Sequence, residues 1–160
     1  MRLSENFTLA ELCVSSRAEQ AGIDNDPLPE HLTMMQKYLV PGLEHVRSIC
    51  GDRTMILTSA YRNPRVNRLV GGTPTSAHPQ GLAADLRVAG LSSLATAKLI
   101  AEVMAARQIK IDQLIWESGR NVVHVSFDPR ARMMRGHQPG GPGTPINWNF
   151  FGRPISVRAA

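Results

Sequence analysis

The chain reads as an α+β domain, a small antiparallel sheet with helices packed on one side. Three patterns predict it. Leu32, Met35, Leu39, Leu43, Val46 and Cys50 recur at three- and four-residue steps, which makes one apolar face of a helix running from Glu30 to Cys50. Leu82, Ala84, Leu86 and Val88 alternate with Ala83, Asp85 and Arg87, as in a half-buried strand. Two further apolar runs, Ile109 to Glu117 and Asn121 to Phe127, flank Ser118-Gly119-Arg120 like the arms of a hairpin.

The remaining elements follow from local signals. Thr8-Leu9-Ala10-Glu11 has the form of a capping box opening a short helix, and Ser16-Arg17-Ala18-Glu19 repeats it. Asp24-Asn25-Asp26-Pro27-Leu28-Pro29 is a break. The long helix that follows should kink at Pro41, which has no amide hydrogen to give. Thr54 to Ala60 reads as a strand, then Tyr61-Arg62-Asn63-Pro64 leads into a short helix ending near Val70, and Gly71 to Thr75 is loop. Ser92 or Ser93 caps a helix carrying Leu94, Ala97, Ile100, Ala101, Met104 and Ala105. Beyond Arg135 the composition turns to Gly136-His137-Gln138-Pro139-Gly140-Gly141-Pro142-Gly143, so residues 1–135 are expected to form the domain and 136–160 a Gly/Pro-rich C-terminal arm.

At 160 residues, with 42% hydrophobic and 19% charged residues, the chain suits one domain with a real core and excludes wholesale disorder. No apolar run approaches the length of a membrane span. The start, Met1-Arg2-Leu3-Ser4-Glu5-Asn6, lacks the pattern of a secretory signal, so synthesis in a cytoplasm is expected. The net charge of +5 favours polyanionic surroundings, but the cations are scattered and only 5% of residues are aromatic, which argues against a nucleic-acid partner. Cys13 and Cys50 have no zinc-knuckle spacing and read as small core residues.

The chemistry concentrates in two places: His78 with Asp85 seven residues on, and His124 in Val122-Val123-His124-Val125-Ser126. Two imidazoles and a carboxylate are what a catalytic zinc takes when its fourth position is left for water. Strand parity adds Glu117 conditionally. A hairpin loop of two or four residues puts Glu117 on the face of His124, whereas three would send it to the other side. A cluster of His, Asp, His and Glu without a metal would leave buried polar groups unpaired at a cost of several kcal/mol.

The segments Ser59-Ala60-Tyr61-Arg62, Asn67, Val70-Gly71-Gly72, Ser76-Ala77-His78, Gly81 to Asp85, Asp112 to Glu117 and Val123 to Ser126 resemble the zinc D-Ala-D-Ala carboxypeptidase family. Relatives include D,D-dipeptidases, L-alanyl-D-glutamate endolysins and the hedgehog signalling domain, and the resemblance spans roughly residues 3 to 130. It implies that His78, Asp85 and His124 bind one zinc ion per chain, that Glu117 is the general base and that Arg62 holds a substrate carboxylate. Ser76 would line the substrate site, with Tyr61 and Trp116 as cleft walls. Many relatives carry an acidic residue three positions before the last histidine, where this chain has Asn121, so Glu117 follows the hedgehog-type pattern instead. The expected activity is hydrolysis of peptidoglycan stem peptides by a monomer acting on the cell wall, as in phage lysis. The alternative is a non-catalytic module of the same fold that uses zinc only for structure.

Overall fold

The computed structural model describes residues 1–157, and residues 158–160 lie outside the described residues. The architecture is α+β. Five strands, β1 (Met55–Ser59), β2 (Ala83–Val88), β3 (Gln113–Glu117), β4 (Val122–Ser126) and β5 (Met134–His137), form one sheet in the order β1-β2-β4-β3-β5. The first four pair antiparallel as expected. β5 lies parallel to β3, making the sheet mixed, and it comes from the glycine-rich stretch that composition alone marks as an arm. Asp112 fixes that return. Its carboxylate accepts from Arg132 Nε at 2.9 Å and Nη2 at 2.8 Å, a bidentate pair that delivers the chain to the edge of β3.

Helices α1 (Leu9–Cys13), α2 (Ser16–Ala21), α3 (Pro29–Met34), α4 (Val40–Ile49), α5 (Pro64–Leu69) and α6 (Ser93–Ala105) complete the chain. Thr8 and Glu11 form the reciprocal cap of α1, Ser15 caps α2, Asn63 caps α5 and Ser92 caps α6. The single helix expected over residues 30–50 is three consecutive segments: α3, a π-helical stretch at Met35–Leu39, and α4. Pro41 cannot donate to the ladder, and the ladder changes step just before it, where Val40 N–H reaches back to Met35 O.

Strand alternation sorts the sheet into two faces. Ala84, Leu86, Leu114, Val123 and Val125 face α4, α6 and the π-helical stretch, and with Leu39, Leu43, Val46, Ile100 and Met104 they form the core. The opposite face carries Asp85, Glu117, His124 and Ser126, all buried although polar. One row runs straight across all five strands: Ser59, Asp85, His124, Ile115 and Gly136 are register partners in turn.

Gly42 of α4 lies against the core-side residue Phe127, and a Cβ at that position would collide with the ring atoms Cδ1, Cε1 and Cζ. Alanine within a helix normally stabilises by about 1 kcal/mol over glycine, whereas overpacking a well-filled core costs about 1–3 kcal/mol. Gly42→Ala is therefore expected to lower the unfolding free energy by up to about 2 kcal/mol in urea titration. A variant about 1 kcal/mol more stable than the parent would mean that the Phe127 ring moves aside without cost.

Candidate metal centre and cleft

His78 opens a single 3-10 turn, His78–Gln80, that is closed by Gly81 at φ 73°. A side chain at Gly81 would meet His31 O at 2.7 Å, so glycine is required both by the left-handed backbone and by close packing on α3. His78 Nδ1 stands 2.6 Å from Ala60 O, and since a carbonyl only accepts, Nδ1 carries the proton. Burial lowers the pKa of His78 despite the opposing influence of Asp85, so the ring is neutral and its Nε2 lone pair is free. That lone pair faces Asp85 Oδ1 at 3.3 Å.

Asp85 is brought there by β2, and the β2–β4 register sets His124 directly across from it, with His124 Nδ1 2.9 Å from the same Oδ1. Burial works to raise the Asp85 pKa, but the two imidazoles outweigh it and hold the carboxyl well below its usual range. Its second oxygen is buried without a hydrogen-bond partner, the nearest cation being Arg120 Nη2 at 3.6 Å. A neutral imidazole lone pair aimed at an anionic oxygen, beside an orphaned carboxylate atom, is an arrangement that a cation completes. The three residues each offer an atom within 4.8 Å of the others. Zinc bonds of about 2.0–2.1 Å in tetrahedral geometry put ligand atoms about 3.3 Å apart, close to the spacing found. Two nitrogens and one oxygen suit zinc, so the residues present fit it.

The β3–β4 loop contains residues 118–121, the four-residue case, with Glu117 paired to Val122 and Ile115 to His124. Glu117 consequently lies diagonal to His124 on the same face. Asn121, at φ 53°, takes the left-handed position that closes this turn, which is a backbone role. Burial foremost, then the charge of Asp85, raises the Glu117 pKa against the pull of His124 and Arg120. Arg120 Nη1 donates to Glu117 Oε2 at 2.7 Å. Arg87 in turn donates to the carbonyls of Asn121 at 2.8 Å and Arg120 at 3.1 Å, fastening the loop to β2.

Arg62 is buried and makes no ion pair within 4.0 Å among the described residues, and its Nε has no hydrogen-bond partner. Burial lowers its pKa, and the carboxylates of Asp85 and Glu117 oppose that shift. Its backbone is held on both sides. Asn25 Nδ2 donates to Tyr61 O at 3.0 Å, and Asn25 Oδ1 accepts from Asn63 N at 2.9 Å. The loop facing Arg62 is tied down by Asn67, whose Nδ2 donates to Thr73 O at 3.0 Å, while Gly72 leaves room for its amide.

These groups open on one cavity of about 440 Å³, lined among others by Arg62, Ser76, His78, Asp85, Glu117 and His124. Ser76 also steers the histidine turn, its Oγ accepting from His78 N at 3.3 Å. Ser126 stays below, its Oγ accepting from Gln113 N at 3.1 Å.

Two expected wall residues are not there. Tyr61 is 1% exposed in the core, with its hydroxyl 3.1 Å from His31 Nδ1. Trp116 donates from Nε1 to Ser93 Oγ at 3.0 Å, and its ring stacks on His137 with centroids 4.3 Å apart. The reason is the same for both: in extended chain, the neighbour of a residue facing the cleft faces away from it. Arg120 and Asn25 went unread in the sequence, Arg120 because its place depends on the loop length and Asn25 because it lies in a stretch marked only as a break. Ile146 reaches the cavity lining from the C-terminal segment, whose closing apolar run, Ile146 to Phe151, suits docking onto the domain without indicating where.

A comparison with curated proteins finds no match. A family model described as Peptidase M15 matches residues 5–126, more than half of the chain, and the matched stretch contains His78, Asp85, Glu117 and His124. The chain belongs to the peptidase M15 family, that of the zinc D-Ala-D-Ala carboxypeptidases.

Proposed function

We propose that this zinc peptidase hydrolyses peptidoglycan stem peptides, at a terminal D-Ala-D-Ala or an internal L-Ala-D-Glu bond. One observation carries the reading: the donor set His78, Asp85, His124, the carboxylate of Glu117 and the unpaired guanidinium of Arg62 all open on the same cleft. A metal held only for structure needs neither a base nor a carboxylate anchor beside it.

Zinc held by His78, Asp85 and His124 would supply a Lewis acid for the scissile carbonyl and would acidify the attacking water. Glu117 takes the proton of the attacking water and returns it to the departing amine. Burial, and then the charge of Asp85, raises its pKa, a shift in the direction that helps a carboxylate accept a proton and later give it up. Arg120 keeps the Glu117 carboxylate oriented from the solvent side. Arg62 offers a planar fork for a carboxylate on the leaving residue, which both candidate bonds provide, and that anchor fixes the carbonyl for attack. No helix among the described residues is long and apolar enough to cross a membrane. With the basic charge of +5, this accords with an enzyme working on an anionic wall after a phage-type release.

Glu117→Gln is expected to lower kcat on purified muropeptides by about 10²–10⁴-fold with zinc content kept near that of the parent. Products are read by mass spectrometry, and parent-like turnover in the variant would remove Glu117 from the mechanism. Arg62→Met is expected to raise KM and lower kcat/KM by at least about tenfold, because a charge-assisted bidentate contact of about 1.5–3 kcal/mol is lost. The loss should be smaller on a substrate whose leaving residue is amidated. Equal losses on both substrates would mean that Arg62 does not bind the carboxylate.

A further inference from the structure

The cleft extends past the metal centre in a direction that the family match does not cover. The row across the sheet continues from His124 to Ile115 and then to Gly136 of β5. Gly136 has no side chain on this face, and a Cβ there would meet Ile146 Cγ2 at 2.5 Å and Trp148 Cε3 at 2.9 Å. Ile146 therefore lies over β5 beside Ile115, and both line the cavity. The family match ends at residue 126, so β5 and Ile146, though not Ile115, belong to the part of the chain beyond it.

The wall is built rather than draped. His137 and Asn147 exchange backbone hydrogen bonds at 3.1 Å and 2.9 Å. Gln138 N–H donates to Trp116 O at 3.0 Å, and Gln138 Nε2 donates to Thr144 O at 2.8 Å, closing the turn that leads to Ile146. Phe150 packs on Trp116 and His137 behind it, at centroid distances of 5.4 Å and 4.8 Å.

The strand order sets direction. Arg62 follows β1 at one edge, the metal ligands Asp85 and His124 sit on β2 and β4 with His78 in the turn before β2, and Ile115 and Ile146 lie over β3 and β5 at the other edge. A peptide whose leaving residue is held through its carboxylate by Arg62 must run its acyl side over the metal centre toward Ile115 and Ile146. We infer that Ile115 and Ile146 form a subsite for the side chain of the residue on the acyl side of the scissile bond, and that the chemistry it takes is a small apolar group such as the alanine methyl. This rests on the peptidase reading above and adds to it a specificity-determining role for the C-terminal segment. Alanine occupies the acyl position in both stem-peptide bonds considered.

Two readouts test it. The zinc-loaded full-length chain and its Ile146→Ala variant are assayed for kcat/KM on acetyl-Lys-D-Ala-D-Ala against acetyl-Lys-D-Leu-D-Ala, and on acetyl-L-Ala-D-Glu against acetyl-L-Leu-D-Glu. The parent should prefer the alanyl peptide of the pair it cleaves, and Ile146→Ala should reduce that preference by about tenfold or more, since apolar size discrimination runs at about 10–200-fold per methylene. In parallel, methyl resonances of Ile115 and Ile146 are followed in zinc-loaded Glu117→Gln as the alanyl peptides are added. Both should shift, and should shift less when glycine replaces the acyl-side alanine. Turnover with an unchanged preference and unmoved methyls would overturn the subsite and leave the peptidase reading standing. Shifted methyls without cleavage by the parent would uphold the subsite and overturn the hydrolytic reading.

Discussion

One oxygen organises the site. Asp85 Oδ1 is shared by His78 Nε2 and His124 Nδ1, 3.3 Å and 2.9 Å away, in side chains buried at the base of the cleft. Because the N–H of His78 is committed to Ala60 O, its Nε2 meets that oxygen as a lone pair, which is acceptable only if a cation lies between them or a proton is recruited, and burial works against recruiting a second proton at His78. The demand propagates outward. It needs Ala60 O to hold the His78 tautomer, the β2–β4 register to set His124 opposite Asp85, and Gly81 to let the histidine turn press on α3.

The polar face of the sheet is buried under loops rather than helices, and its charges are balanced unequally. Arg120 spans Glu117 and Asp85 from a position 37% open to solvent, so it can be drawn aside as substrate arrives. Arg62 is buried and has no carboxylate partner of its own among the described residues. A desolvated guanidinium left unpaired is costly unless something else satisfies it, which is why it reads as the place for an anionic group of the substrate. On the proposed mechanism the two arginines divide the work: Arg120 would position the base, and Arg62 would take the carboxylate of a ligand.

Much of this was legible in the residues because strand parity is a strict rule. Alternation placed Asp85 and His124 on one face, and a four-residue loop was enough to bring Glu117 to the same side. Parity also corrects the reading where proximity in sequence was taken for proximity in space, since Tyr61 and Trp116 adjoin Arg62 and Glu117 yet point into the opposite layer. The capping residues of α1 and α6 were readable because a side-chain cap is a local event. The parallel return of β5 was not, because it depends on a long-range pair, Asp112 with Arg132, and on Gly136 lacking a side chain. Glycine- and proline-rich composition signals turns, and it cannot say whether a short strand lies between them.

The central claim is that His78, Asp85 and His124 hold one metal ion in common, and the most direct measurement is metal content joined to zinc-edge X-ray absorption on the purified full-length chain and on Asp85→Ala. The account predicts close to one zinc per parent chain, with a first shell of nitrogen and oxygen including two imidazoles, and marked loss of zinc from the folded variant. A parent-like zinc content and spectrum in Asp85→Ala, or a sulfur-bearing shell in the parent, would contradict it.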